Sequence, residues 1–201
     1  MEDKYGNMAE LFAASREGRD YRIHRREAKS NFAIIAPHGG VLEPGTYEIA
    51  DAIAATRHTF YCFEALTEGL HVTSHHFDDP ACLRLVKQSD YVVTVHGCHD
   101  SKASNGPDRT VAIGGLDTSF GAVIRQELEQ SGIAIGHRPE LAGVHPLNIC
   151  NRGSRGMGVQ LELTRSLRDK LMATRSAGTG GLFAGFAAAL DRAVATVPRR
   201  S

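Results

Sequence analysis

Two nearly continuous apolar runs, NFAIIAP (31–37) and YVVTVHG (91–97), constrain this chain more than any other feature. A half-exposed strand alternates apolar and polar residues. A run without alternation reads as a strand covered on both faces, which calls for helices on both sides of a sheet. The rest of the chain supplies them. An amphipathic helix is expected over 5–17, an edge strand over 20–27, and a helix from Pro44 to about Arg57, with Ile49 and Ile53 on its buried stripe. Strands at 59–63 and 70–74 precede a helix at 79–88, for which Asp78 or Asp79 is the expected cap. Beyond 91–97 come a strand at 110–116, a helix at 119–131, a strand at 133–138, a long loop to Gly158, and a strand at 159–164. A helix opening RSLRDKLM, a flexible break at 177–181 and an Ala-rich helix at 182–196 complete the chain.

Strands alternating with helices predict an α/β fold: a single-domain sandwich with a central mixed, mainly parallel sheet flanked by helices. One domain is expected over 1–201, with 1–18 an N-terminal helical appendage and 177–201 a C-terminal helix and tail. A chain of 201 residues can bury ~70% of its unfolded surface, so neither a metal nor a disulfide is needed merely to fold it.

Composition narrows the partners. Lys+Arg and Asp+Glu balance at 23 each, so no global charge draws the chain to nucleic acid or membrane, and with tryptophan absent an aromatic base-stacking platform is not expected. No apolar stretch approaches the ~20 residues of a membrane span, and no signal peptide is visible, so a soluble cytoplasmic monomer is expected, binding neither nucleic acid nor membrane. Cys62, Cys82, Cys98 and Cys150 show no CxxC spacing and read as reduced thiols.

Ligands of such sheets collect at the carboxyl ends of the strands, and there the histidines stand. His38 ends one apolar run and His96 ends another; Glu43 follows a Gly-Gly turn. Two imidazoles and one carboxylate form a familiar protein ligand set for catalytic zinc, set against the plainer role of structural hydrogen bonding. In GVQLELTRSLR (158–168), Gln160, Glu162 and Thr164 share one face of a strand, so Glu162 either meets solvent or is held in a site as general base. NICNRGSRGMG (148–158) offers Asn151, Arg152 and Arg155 as a carboxylate clamp or as a solvated loop. HGCHDSK (96–102) adds His99 and Lys102, and leaves open a Cys98–histidine nucleophile pair. His75 and His76 in SHHFDDP read as surface or cap-supporting residues, and AIGGLD matches no phosphate loop.

Taken together, IIAPHGGVLEPGTYEIA, LHVTSHHFDDP, VTVHGCHD, AIGGLD and NICNRGSRGMGVQLELTRSLR resemble the poly-γ-glutamate hydrolases, small zinc peptidases of phages and bacteria sometimes described as phage replication proteins. The resemblance runs from about Tyr5 to Val197. It implies a zinc-carboxypeptidase-like fold, Zn²⁺ held by His38, Glu43 and His96, and Glu162 as the catalytic carboxylate. It implies a γ-glutamyl polymer or peptide as substrate, with Asn151, Arg152, Arg155, His99 and Lys102 near its carboxylates. The Asn-Arg pair follows the third ligand here, whereas in carboxypeptidases it precedes it. A zinc amidohydrolase acting on another acyl-amino acid or a cell-wall peptide, and a phage-associated nucleic-acid-binding accessory protein, are the alternatives.

Overall fold

The computed structural model describes residues 3–101 and 108–197. Seven strands form one sheet: β1 (Tyr21–Arg26), β2 (Phe32–Gly40), β3 (Thr59–Ala65), β4 (Tyr91–Cys98), β5 (Thr110–Gly114), β6 (Ala134–Ile135) and β7 (Val159–Thr164). Their spatial order is β1-β3-β2-β4-β7-β5-β6. The β3-β2-β4-β7 block is parallel, as is β5–β6, while β1–β3 and β5–β7 are antiparallel. The sheet is therefore mixed and mainly parallel, as the alternation of elements predicts.

Both faces are covered. Helices α2 (Thr46–Ala54), α4 (Thr118–Gln130), α5 (Arg165–Ala173) and α6 (Leu182–Ala195) pack Ile49, Ile53, Ile124 and Leu190 against Ile34, Val93, Val95 and Leu161. On the other face, α1 (Met8–Ala14) and α3 (Pro80–Lys87) bring Met8, Leu11 and Leu85 onto Ile35, Tyr61, Phe63 and Val92. This double burial is why 31–37 and 91–97 read as unbroken apolar runs. Among the described residues no helix is long and apolar enough to cross a membrane.

Several boundaries differ from expectation for local reasons. Residues 70–74 form no strand. Leu70 and Val72 are buried, but the backbone polar groups are used elsewhere: Thr73 N–H donates to Asp3, and the Ser74 carbonyl accepts from Ile149 N–H. The 133–138 strand shrinks to two residues, because Arg138 is drawn off to Asp108. The helix expected from Pro44 starts at Thr46, since Gly45 at φ 93° keeps the turn going. Asp79 caps α3 through Ala81 N–H, while Asp78 accepts from Met8 N–H.

One irregularity decides where the chemistry sits. Between Ala36 and Gly39, β2 carries one residue more than β3: Ala36 pairs with Cys62 and Gly39 with Glu64. Strict alternation would send residues 34, 36 and 38 to the same face. The extra residue breaks that alternation. The His38 ring instead lies against His71, Phe77 and His96, on the α1/α3 side of the sheet. Gly40 closes the bulged segment at φ 72°, where a Cβ would stand 2.1 Å from the Ala65 carbonyl oxygen. Gly40→Ala is expected to lower stability by about 1–3 kcal/mol, read as a reduced midpoint in a denaturant titration.

Candidate metal centre

Glu43 follows the β2 bulge in a turn closed by its own N–H, which donates to the His38 carbonyl at 3.0 Å. That turn returns the carboxylate to the strand it left. Oε1 lies 2.9 Å from His38 Nδ1, and Oε2 accepts from Gly97 N–H at 2.7 Å. His96, at the end of β4, brings its Nδ1 to 3.2 Å from His38 Nδ1 and 3.7 Å from Glu43 Oε2. Three groups from two strand ends and one turn thus converge, and both imidazoles are almost wholly buried.

The outer nitrogens are anchored. His38 Nε2–H donates to the Val72 carbonyl at 2.9 Å, leaving Nδ1 as the atom aimed at the centre, and His96 Nε2 faces Ser74 Oγ at 3.4 Å. Such outer bonds orient metal-ligating histidines. Zinc–ligand bonds of about 2.0–2.1 Å in a tetrahedron put ligand atoms about 3.3 Å apart. The two imidazole nitrogens stand 3.2 Å apart, with Glu43 Oε1 2.9 Å from one and Oε2 3.7 Å from the other, all near that edge, so this nitrogen-and-oxygen donor set fits zinc.

His71, which the sequence reading did not single out, also stands here. Its ring is 4.2 Å from that of His38, and its ligand atom lies within 4.8 Å of those of His38 and Glu43. Two triads therefore share His38 and Glu43. In the triad with His96 the two Nδ1 atoms approach to 3.2 Å, whereas His71 has its Nδ1 bound to Asp3 at 2.6 Å and offers only Nε2.

Electrostatics separate the two acids of the site. Burial by itself would raise the Glu43 carboxyl, but the adjacent His38, with His96 behind it, holds it well below the usual range. Burial likewise opposes a charged His38, yet Glu43 outweighs it and raises the imidazole pKa. Glu162 is opposite His96 on β7 and only 6% exposed. Burial pushes its pKa up to about 7, with Glu43 adding to the shift and His96 opposing it. Its Oε1 accepts from Gln160 Nε2 at 2.9 Å, and Gln160 is in turn held by Asn148.

A cleft of about 860 Å³ opens over these residues. His99, Arg138 and His145 stand in its wall, and the His75 ring lies 4.9 Å from that of His145, tilted by 41°. A second cavity, of about 790 Å³, lies at the opposite end of the sheet beside Phe32, His58 and Thr59 and away from His38 and His96.

The loop expected to clamp a carboxylate is used differently. Asn151 is buried: its Oδ1 accepts from Leu116 and Gly158 N–H, and its Nδ2 donates to the Gly143 and His145 carbonyls. All four hydrogen-bonding positions serve the loop. Arg155 pairs with Asp117 and covers the Tyr91 ring at the start of β4, at the far end of that strand from His96. Arg152 lies toward Cys82 of α3 and does not line the cleft. Lys102 lies outside the described residues. Arg138 is the one arginine lining the cleft among the described residues; it ends the segment read as a strand over 133–138 and was not singled out there. All four cysteines are free; burial, with Glu162 nearby, pushes the Cys98 thiol up to about 11, which removes the thiolate a nucleophile needs.

The profile of the family described as "Poly-gamma-glutamate hydrolase" matches residues 5–180. The chain belongs to that family. Relatives include YndL of Bacillus subtilis strain 168, 31% identical over 85% of this chain and 67% of its own length, and YmaC of the same strain, 33% identical over 83% and 71%. Among solved structures, a bacteriophage poly-gamma-glutamate hydrolase matches with a TM-score of 0.86 at 29% identity, covering 96% of this chain and 97% of its own. Zinc-free YndL matches with a TM-score of 0.84 at 28% identity, covering 97% and 98%. An N-formylglutamate amidohydrolase from Ralstonia eutropha, at 12% identity and a TM-score of 0.58, shares the fold. This member of the hydrolase family thus shares its overall fold with the phage hydrolase and YndL.

Asn151→Ala strands several buried backbone groups and is expected to cost about 2–4 kcal/mol of stability, with KM unchanged in the folded fraction, checked by thermal melting and steady-state kinetics. Glu162 gives a pH-dependent test. An ordinary glutamate ionises near 4.5, whereas folded Glu162 holds its proton to about 7. Between those values the folded state binds more protons than the unfolded one, so this contribution to stability is complete below the lower value and lost as pH rises through the upper. With metal chelated, Glu162→Gln is expected to be more stable than the parent by about 1–3 kcal/mol at about pH 8 and to lose that advantage near pH 4.5, measured by melting across pH.

Proposed function

We propose that the chain is a zinc-dependent hydrolase that cleaves γ-glutamyl amide bonds of poly-γ-glutamate. The observation that carries this reading is the convergence of His38 Nδ1, His96 Nδ1 and the Glu43 carboxylate, with the separate acid Glu162 on the neighbouring strand. Zinc held by those three residues would supply Lewis acidity toward an amide carbonyl and toward water. The family to which the chain belongs, and the zinc-free condition in which YndL was solved, support the polymer and the metal.

The protein's own groups then have distinct tasks. Glu162 accepts the proton of the attacking water and delivers it to the departing amine; a carboxyl poised near 7 can do both around neutral pH. Gln160 fixes the Glu162 carboxylate through Oε1, and Glu162 lines the cleft. Arg138 and His99 in the cleft wall meet substrate carboxylates; Arg138 is held by Asp108, which orients its fork. A neutral chain acting on a polyanion needs such local recognition, since no long-range field draws the polymer in.

Purified protein is expected to carry about one zinc per chain, to lose hydrolysis of poly-γ-glutamate under a chelator and to regain it when zinc is returned. Glu162→Gln should keep its zinc and lose about 10²–10⁴-fold in kcat. Metal analysis with a polymer-cleavage assay checks both, and full activity in the chelated protein overturns the reading. A panel of other acyl-amino acids and cell-wall peptides in the same assay tests the substrate.

A further inference from the structure

Beneath the floor of the cleft lies a buried cation that the chemistry above does not use. Arg168 stands in the first turns of α5, directly after the strand that carries Glu162, and is only 4% exposed. Its guanidinium donates to three backbone carbonyls: Nε to Leu163 at 3.2 Å, Nη1 to Pro44 at 2.6 Å and Nη2 to Cys98 at 3.3 Å. These acceptors belong to three separate chain segments. Leu163 follows Glu162, Pro44 follows Glu43, and Cys98 is two residues beyond His96.

The approach is close. A Cβ at Gly97 would lie 2.5 Å from Arg168 Cζ and 2.7 Å from Nε. The guanidinium therefore presses on the backbone of Gly97, the same residue whose N–H holds Glu43 Oε2 at 2.7 Å. Arg168 does not line the cleft, so it does not touch substrate. A planar fork with five donors in fixed directions sets the distances between the groups it binds; a lysine ammonium is a single point and cannot span three carbonyls in this way.

We propose that Arg168 is a positioning residue: its guanidinium spaces the backbones that follow Glu43, His96 and Glu162, and so holds the Glu43 carboxylate where it can ligate zinc. The inference rests on the zinc-hydrolase reading above. The competing role is purely structural, fastening α5 to the sheet.

Zinc affinity separates the two. The zinc dissociation constant is measured by chelator competition for the parent, Arg168→Met, Arg168→Lys and Gly97→Ala, alongside kcat, KM and the melting temperature of each zinc-free protein. Outer-shell contacts typically change metal affinity by about 10–100-fold. A rise of that size is expected in Arg168→Met and Gly97→Ala, with kcat reduced and KM within about threefold of the parent. Arg168→Lys should recover only part of the loss. Gly97→Ala keeps the arginine but displaces it, so it carries the comparison should Arg168→Met not fold. Variants that fold and bind zinc within about twofold of the parent overturn the proposal, as does failure of all three to fold, which marks a structural role. A parent that binds no zinc defeats the zinc-hydrolase reading itself, whereas a parent and variants that bind it equally defeat only the role of Arg168.

Discussion

The Glu43 carboxylate is the contact on which the site depends. It is bonded at once to His38 at the end of β2 and to the Gly97 amide at the end of β4, and His96 stands beside it. Hydrogen bonds to a carboxylate are short and roughly twice as strong as neutral ones. Here they join two strands beyond the last point at which those strands pair with each other, since the β2–β4 ladder stops at Ile35 and Thr94. Past that point each strand pairs only on its other side, β2 with β3 and β4 with β7, and Glu43 spans the gap between them. The turn that delivers it is thus both the closure of the sheet edge and the origin of the site.

Two glutamates a short distance apart are driven to opposite behaviour by their surroundings. Glu43, flanked by imidazoles and an amide, stays ionised far into acid; Glu162, buried with only a glutamine amide on Oε1, keeps its proton to about 7. Divergent environments of this kind are how one site obtains a fixed anion and a movable proton. In the proposed chemistry the fixed anion is the ligand and the movable proton belongs to the base. The link runs one way: burial raises Glu162, and the negative charge of Glu43 adds to that shift.

The site was legible in the sequence to the extent that its residues end apolar strands. His38, His96 and Glu162 stand where uninterrupted or alternating runs meet glycines or a helix start, and the structure brings them to one cleft. The arginine loop was legible as a loop and not as to its purpose. Asn151 in an Asn-Arg pair looks like a carboxylate binder, yet its four hydrogen bonds tie the loop to itself and to the Leu116 amide after β5, and Arg155 is taken by Asp117. Arg138 and His71 fall in segments that read as strands, 133–138 and 70–74, but are irregular in the structure, so the strand reading did not point to them. The supposed strand at 70–74 shows the same blindness: burial of Leu70 and Val72 mimics a strand while the backbone bonds go to Asp3 and to the 149 loop.

The amino-acid sequence alone determined the class of fold, the strands that are buried on both faces, and the sheet edge at which chemistry should lie, because these follow from apolar periodicity and from the types of residue at strand ends. Only the tertiary structure decided that His38 faces His96. By alternation it belongs on the other face of β2, and the one extra residue opposite Cys62 and Glu64 turns it round. A bulge is a difference in length between two paired strands, so it is set by where the partner strand holds its own residues, and one strand read by itself carries no record of it.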